Sequence, residues 1–244
     1  MSAGLLTLVA FAAAIYASVG HGGASAYLAI LSLYGVPPDQ MATSALVLNV
    51  LVASVALITY ARAGHLSARL TLPFLVCSIP GAYVGGLLHV SPRVYGLLLA
   101  VALVFAAARL WWTPGERAWR PVAWSVALPV GAAIGLLSGI VGVGGGIFLS
   151  PLMILAGWAG TKPTSATAAV FIVVNSLAGL AGRASRGALI LGHVWPLIVV
   201  AFAGGLIGSR LGAYTLLPLH LRRLLAALLL FVAVKTLAAW LGAL

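Results

Sequence analysis

Acidic side chains are almost missing from this chain: its 244 residues carry two, Asp39 and Glu116, against 13 lysines and arginines. Such a sequence has little from which to build a carboxylate pair, whether for acid–base catalysis or for holding a cation. Cysteine is nearly as scarce. Cys77 stands alone, which excludes an internal disulfide and any cysteine-based metal cluster, and reads as a small packing residue. Charge of either sign makes up 6% of the chain while 63% is hydrophobic, and the mean hydropathy is +1.19. No polar stretch is long enough to form a soluble domain, so an integral membrane protein is expected. The formal charge of +11 does not point to nucleic acid, because the basic residues stand at the ends of apolar runs, where they orient a membrane chain. No Lys or Arg precedes the first apolar run, so residues 1–19 are expected to remain as a membrane segment rather than a cleaved signal.

What is present is leucine, alanine and glycine in continuously apolar runs of about the 20 residues that a helix needs to cross a bilayer. A β-barrel would show short alternating segments instead, so an all-α polytopic protein is expected. Breaks at glycine, proline and charge give a segment near 3–19 and a short piece near 24–34, followed by spans near 40–62, 66–88 and 92–112. After a polar linker at 114–120 the pattern restarts. A segment near 122–141 and a short piece near 147–157 precede spans near 162–182, 189–211 and 218–241. The halves 1–113 and 121–244 also share residues in one order: "VGHGG" with "VGVGGG", "ATSALVLNV" with "ATAAVFIVVNS", "PGAYVGGLL" with "AGGLIGSRL", and "VFAAARLWW" with "LFVAVKTLAAW".

Duplicated halves with glycine-interrupted segments in corresponding places point to a secondary transporter whose site lies at the interruptions. If each short piece pairs with the segment before it, each half crosses an odd number of times and the second is inverted. That topology gathers nine arginines and lysines on one side, against Arg93, Arg183, Arg186 and Lys235 on the other. The bias toward one face favours two inverted repeats, each a glycine-interrupted pair of short segments followed by three transmembrane helices, with both termini outside. Most tryptophans fall near segment ends, as an interfacial belt requires.

Unwound backbone in hydrocarbon survives only where protein or a watery cavity receives its N–H and C=O groups. A helix restarting after such a break offers unpaired N–H groups and the positive end of its dipole to a small anion. The glycine rows Gly81–Gly85, Gly131–Gly135–Gly139 and Gly204–Gly208–Gly212 have four-residue spacing and read as tight helix contacts. The clusters Gly20, Gly22, Gly23 and Gly142, Gly144, Gly145, Gly146 differ: they mark the interruptions, and with Ser25 they are the expected anion site. "GVGGG" is not a nucleotide loop, because no Lys-Ser/Thr follows it and no strand precedes it. His21 is the one histidine at an interruption, a candidate anion donor or proton carrier, although Val143 holds the matching place in the second half. The following spans carry Thr43, Ser44 and Asn49 in one half and Thr164, Ser165, Thr167 and Asn175 in the other. These side chains can serve an anion or bond back to their own helix carbonyls. No acidic residue falls inside a long span so bounded, which leaves His21 as the best proton carrier if transport is coupled.

The paired elements "GHGGASAYL" and "GVGGGIFLSPLMIL" are each followed by a proline-containing turn, "GVPPDQMATS" and "GTKPTSATAA", and then by a glycine loop, "RAGHL" and "SRGAL". In this order, over nearly the whole chain, they resemble the TauE/SafE family of sulfite exporters and sulfonate permeases. The resemblance implies a bacterial inner-membrane carrier of small sulfur-containing anions, with no cofactor; a residue that is apolar or small is commoner in the family where His21 stands. The partners expected are the anion and the bilayer, with no nucleic acid and with a homo-oligomer left open. An anion channel is the nearest rival reading. A membrane-embedded enzyme is the more distant one, since neither a nucleophile with its base nor metal-spaced histidines are visible.

Overall fold

The structure is a computed structural model that describes residues 3–18, 20–111, 120–189, 194–214 and 219–241. The linker up to residue 119, with Glu116, Trp112 and Trp119, lies outside the described residues, as does His193; of Gly212 nothing is described beyond its place in a helix. Ten helices run through the described residues, and no strand is found among them. They are α1 (Ala3–Ala17), α2 (Ala24–Leu33), α3 (Pro38–Arg62), α4 (Ala68–Leu87), α5 (Pro92–Trp111), α6 (Trp124–Val141), α7 (Gly146–Leu155), α8 (Thr161–Ser185), α9 (Trp195–Tyr214) and α10 (Leu219–Trp240). Their lengths recur across the halves: 15, 10, 25, 20 and 20 residues, then 18, 10, 25, 20 and 22.

Four helices, α3, α4, α6 and α8, are long and apolar enough to cross a membrane by length and composition, and shorter apolar stretches lie in the other six. The short α2 and α7 are central. Residues 24–31 of α2 are all buried, and so is most of α7. Large apolar side chains instead stand exposed on the flanking helices, among them Val101, Val199, Ile207 and Phe231, as a lipid-facing surface requires. Trp111, Trp124 and Trp195 are exposed at helix ends, the level of a bilayer interface.

The halves interlock. The first helix of each packs on the fourth helix of the other, α1 on α9 and α6 on α4, and α3 packs on α8 between them. Glycine permits the first two contacts. A Cβ at Gly131, Gly135 or Gly139 would overlap the carbonyls of Phe74, Ser78 or Ala82, and one at Gly204 or Gly208 those of Ala10 or Ala14. The α3–α8 pair runs antiparallel: Asp39, in the first turn of α3, meets Arg183 in the last turn of α8, and Tyr60 near the end of α3 bonds Ser165 near the start of α8.

Two boundaries correct the sequence reading, and one of them is the span expected from near 189, which begins only at Trp195. The helix expected from residue 40 begins at Pro38, because Pro37 holds extended backbone and Pro38 takes the first helical position, where a missing N–H costs nothing. Asp39 therefore belongs to a long span.

Candidate functional site

Both interruptions are built alike. Gly23 and Gly145 cap α2 and α7 with left-handed backbone, φ 94° and 79°, a conformation that costs a residue with a side chain about 1–2 kcal/mol. Each break lies against α3 or α8. A Cβ at Gly22 would run into the Asn49 side chain; one at Gly144 would sit 2.5 Å from Asn49 Nδ2 and 3.0 Å from both Ser176 Oγ and Ile172 Cγ2.

Asn49 ties the two breaks together. Its Oδ1 accepts the first N–H of α2, from Ala24, at 3.1 Å, and its Nδ2 donates to the carbonyl of Val143 at 3.0 Å. One amide thus satisfies a backbone donor in the first interruption and a backbone acceptor in the second. Counted from the start of each 25-residue helix, the counterpart of Asn49 is Ile172, not Asn175. Ile172 cannot cap. The first N–H of α2 is thus occupied by Asn49, while among the described residues no side chain bonds the N–H of Gly146 or Ile147 at the start of α7, where Phe148 and Leu149 donate to the Gly145 carbonyl.

Polar groups without partners gather on this second side. Asn175 is fully buried, and neither atom of its amide finds a partner among the described residues; Ser176 Oγ and Ser138 Oγ are in the same condition. An unpaired buried polar group costs about 1–3 kcal/mol. Of these, Ser176 Oγ lies 3.0 Å from where a Cβ of Gly144 would stand, so an unpartnered hydroxyl at the second break is prepared for something that brings hydrogen-bonding groups with it, and the Asn175 amide precedes it by one residue on α8.

The other expected residues divide. His21 is buried in the first interruption and reaches the second half, its Nε2 lying 2.9 Å from Ser150 Oγ on α7. Ser25 is turned to Tyr16, with its hydroxyl 2.6 Å from the phenol. Thr167 pairs with Thr71 of α4 at 3.0 Å, and Thr164 donates to the carbonyl of Ala159 at 3.3 Å. Thr43 donates to the carbonyl of Ala188 at 3.4 Å, and Ser44 is buried beside it on α3. Gly145 and Gly146 lie against Phe171, Ile134 and Ile172, so the apolar lining of the α7 end comes from α6 and α8.

Sequence reasoning did not single out Ser150 and Ser176, which lie within the quoted elements "GVGGGIFLSPLMIL" and "ATAAVFIVVNS", and it missed a charged cluster where α3 starts and α8 ends. There Asp39 Oδ1 accepts from Arg183 Nη1 at 3.0 Å and also from Arg186 Nη2. Arg183 Nη2 donates to the carbonyls of Gly139 and Ile140 at 3.2 and 2.8 Å, closing the C-terminal end of α6. Arg186 Nη1 lies 3.0 Å from His89 Nδ1. The signal was present in the spacing of Asn175, Gly179 and Arg183, which share one face of α8 at four-residue intervals.

Comparison with known proteins agrees with this architecture. Over 233 residues the chain is 36% identical to "Probable membrane transporter protein y4hK" of Sinorhizobium fredii (strain NBRC 101917 / NGR234), covering 91% of this chain and 92% of that one. It is 27% identical over 214 residues to "Probable membrane transporter protein ORF9" of Sinorhizobium sp, with 84% and 81% covered. No solved structure matches. Residues 5–236 match the family described as "Sulfite exporter TauE/SafE", and this multi-pass membrane chain belongs to that family of transporters.

Proposed function

We propose that the chain is a secondary transporter that moves a small sulfur-containing anion, of the sulfite or organosulfonate class, across a bacterial inner membrane. The observation that carries this reading is Ser176 Oγ, buried without a partner among the described residues and 3.0 Å from the Cβ position of Gly144 in the second interruption, with the unpartnered Asn175 amide one residue before it on α8. An oxyanion accepts from amide, hydroxyl and backbone N–H donors alike, so one small ligand can satisfy all three. Asn49 Nδ2 stands at the same point, beside Gly144.

The interlocked halves and the antiparallel α3–α8 pair support two inverted repeats, the bias of Lys and Arg toward one face favours both termini outside, and a binding place between the repeats fits carriers that rock around a fixed site. The chemistry named is binding and release without bond breaking. A channel for the same anions would pass them without saturation.

The test rests on Ser176, whose hydroxyl finds no partner among the described residues. Replacing it with alanine removes an unsatisfied group, so Ser176→Ala is expected to keep or raise the melting temperature. Sulfite affinity, read by thermal shift and by flux into proteoliposomes, should fall roughly tenfold, since one lost hydrogen bond to a charged ligand costs about 1.5 kcal/mol. Sulfate, thiosulfate, taurine and sulfoacetate serve as competitors. Unchanged sulfite affinity refutes the site, and flux that rises linearly with sulfite refutes the carrier.

A further inference from the structure

The charged cluster lies outside the binding place described above, at one end of the α3–α8 seam. Its charges do not balance. Two guanidinium groups converge on a single carboxylate oxygen, and the Nε atoms of both Arg183 and Arg186 are buried without an acceptor among the described residues. Burying a cation is costly unless an anion and good hydrogen bonds accompany it. The side chains are exposed in order: Asp39 by 38%, Arg186 by 14% and Arg183 by 2%. The row therefore leads from a face of the protein inward, and along α8 it continues through Gly179 to Asn175 and Ser176.

The repeat does not require these charges. At equivalent places in the other half, Lys162 stands for Asp39 and Tyr60 for Arg183, and the far end of the seam is joined by the neutral Tyr60–Ser165 bond. Planar guanidinium pairs are suited to carboxylates and to other oxyanions of like size.

We propose that Arg183 and Arg186 form a second oxyanion site, in which the Asp39 carboxylate holds the place of an anion in transit. An arriving small oxyanion takes over the guanidinium donors, Asp39 is released, and the start of α3 parts from the ends of α8 and α6. The site and the latch are the same groups. This inference rests on reading the chain as an anion carrier, and it assigns the step by which the anion passes the α3–α8 seam.

Thr43 reports on that seam: it is fully buried one turn below Asp39. In a Cys77→Ser background, Thr43→Cys is followed in lipid nanodiscs by its labelling rate with a water-soluble maleimide. Sodium sulfoacetate, a sulfonate that unlike sulfite does not add to maleimide, should accelerate labelling, whereas sodium chloride at equal ionic strength should not. Asp39→Asn should raise the rate roughly tenfold without sulfoacetate, equivalent to about 1.4 kcal/mol of lost latch, while Asp39→Glu restores the slow rate. Arg186→Gln should abolish the response to sulfoacetate. Labelling of Asp39→Asn at the parent rate, or a sulfoacetate response kept by Arg186→Gln, overturns the proposal; if the Asp39→Asn protein does not fold, the Arg186→Gln result decides. A sulfoacetate response in labelling without anion flux in proteoliposomes refutes the carrier and leaves the anion-operated latch. Flux without a labelling response does the reverse.

Discussion

At the scale of single residues, one asparagine and one histidine show how the two interruptions differ. Asn49 spends its amide on backbone groups of both, so its work is structural, and two buried groups would be orphaned without it at about 1–3 kcal/mol each. His21 reaches out of its own interruption to Ser150 in the other half, and its imidazole belongs to the side-chain type whose charge changes near neutral pH. His21→Ala is therefore expected to flatten the pH dependence of sulfite flux between about pH 6 and 8. An unaltered profile in proteoliposomes would reduce His21 to packing. His21 could be read from the sequence as exceptional because it sits where its repeat partner is Val143. Ser150 could not, since an ordinary serine in an apolar helix has no local mark of its partner 129 positions away.

At the scale of elements, glycine has two uses here, and the spacing in sequence separates them. The rows on α4, α6 and α9 bring backbones together, whereas the clusters at 20–23 and 142–146 end one helix and start another. Gly135→Ala is expected to prevent correct assembly of α4 with α6, because the new Cβ would overlap the Ser78 carbonyl. Gly64→Ala, with nothing within 4 Å, should cost only the strain of positive φ, about 1–2 kcal/mol. Size-exclusion profiles and melting temperatures of the two variants check the contrast, and a well-folded Gly135→Ala would contradict the packing. Most helix starts were legible where glycine or proline marks them, but the span expected near 189 after Gly187 begins only at Trp195, and α3 began two residues early because Pro37 and Pro38 share the signal. The Asp39–Arg183 pair was not legible. Charges at segment ends read as orientation signals, and pairing across 144 positions depends on the packing of α3 on α8, which no local pattern encodes.

At the scale of the whole molecule, the scarcity of carboxylates shapes the energetics of transport. An inside-negative potential favours anion exit by about 2.3 kcal/mol per charge per 100 mV, enough for roughly 50-fold accumulation outside. Sulfite efflux from proteoliposomes should therefore accelerate when an inside-negative potassium diffusion potential is imposed and slow when it is reversed. Indifference to the potential would mean electroneutral exchange. The interlocking of the halves has a further consequence for biosynthesis. Helix α1 is made before the nine other described helices, yet the surface it fits, on α9, follows most of them. Until then the face of α1 at Ala10 and Ala14, which Gly204 and Gly208 later cover, lacks its partner. The α4–α6 and α3–α8 seams can close before α9 exists, whereas α1 must wait for it, so damage to α9 would leave the first helix unpartnered in the bilayer.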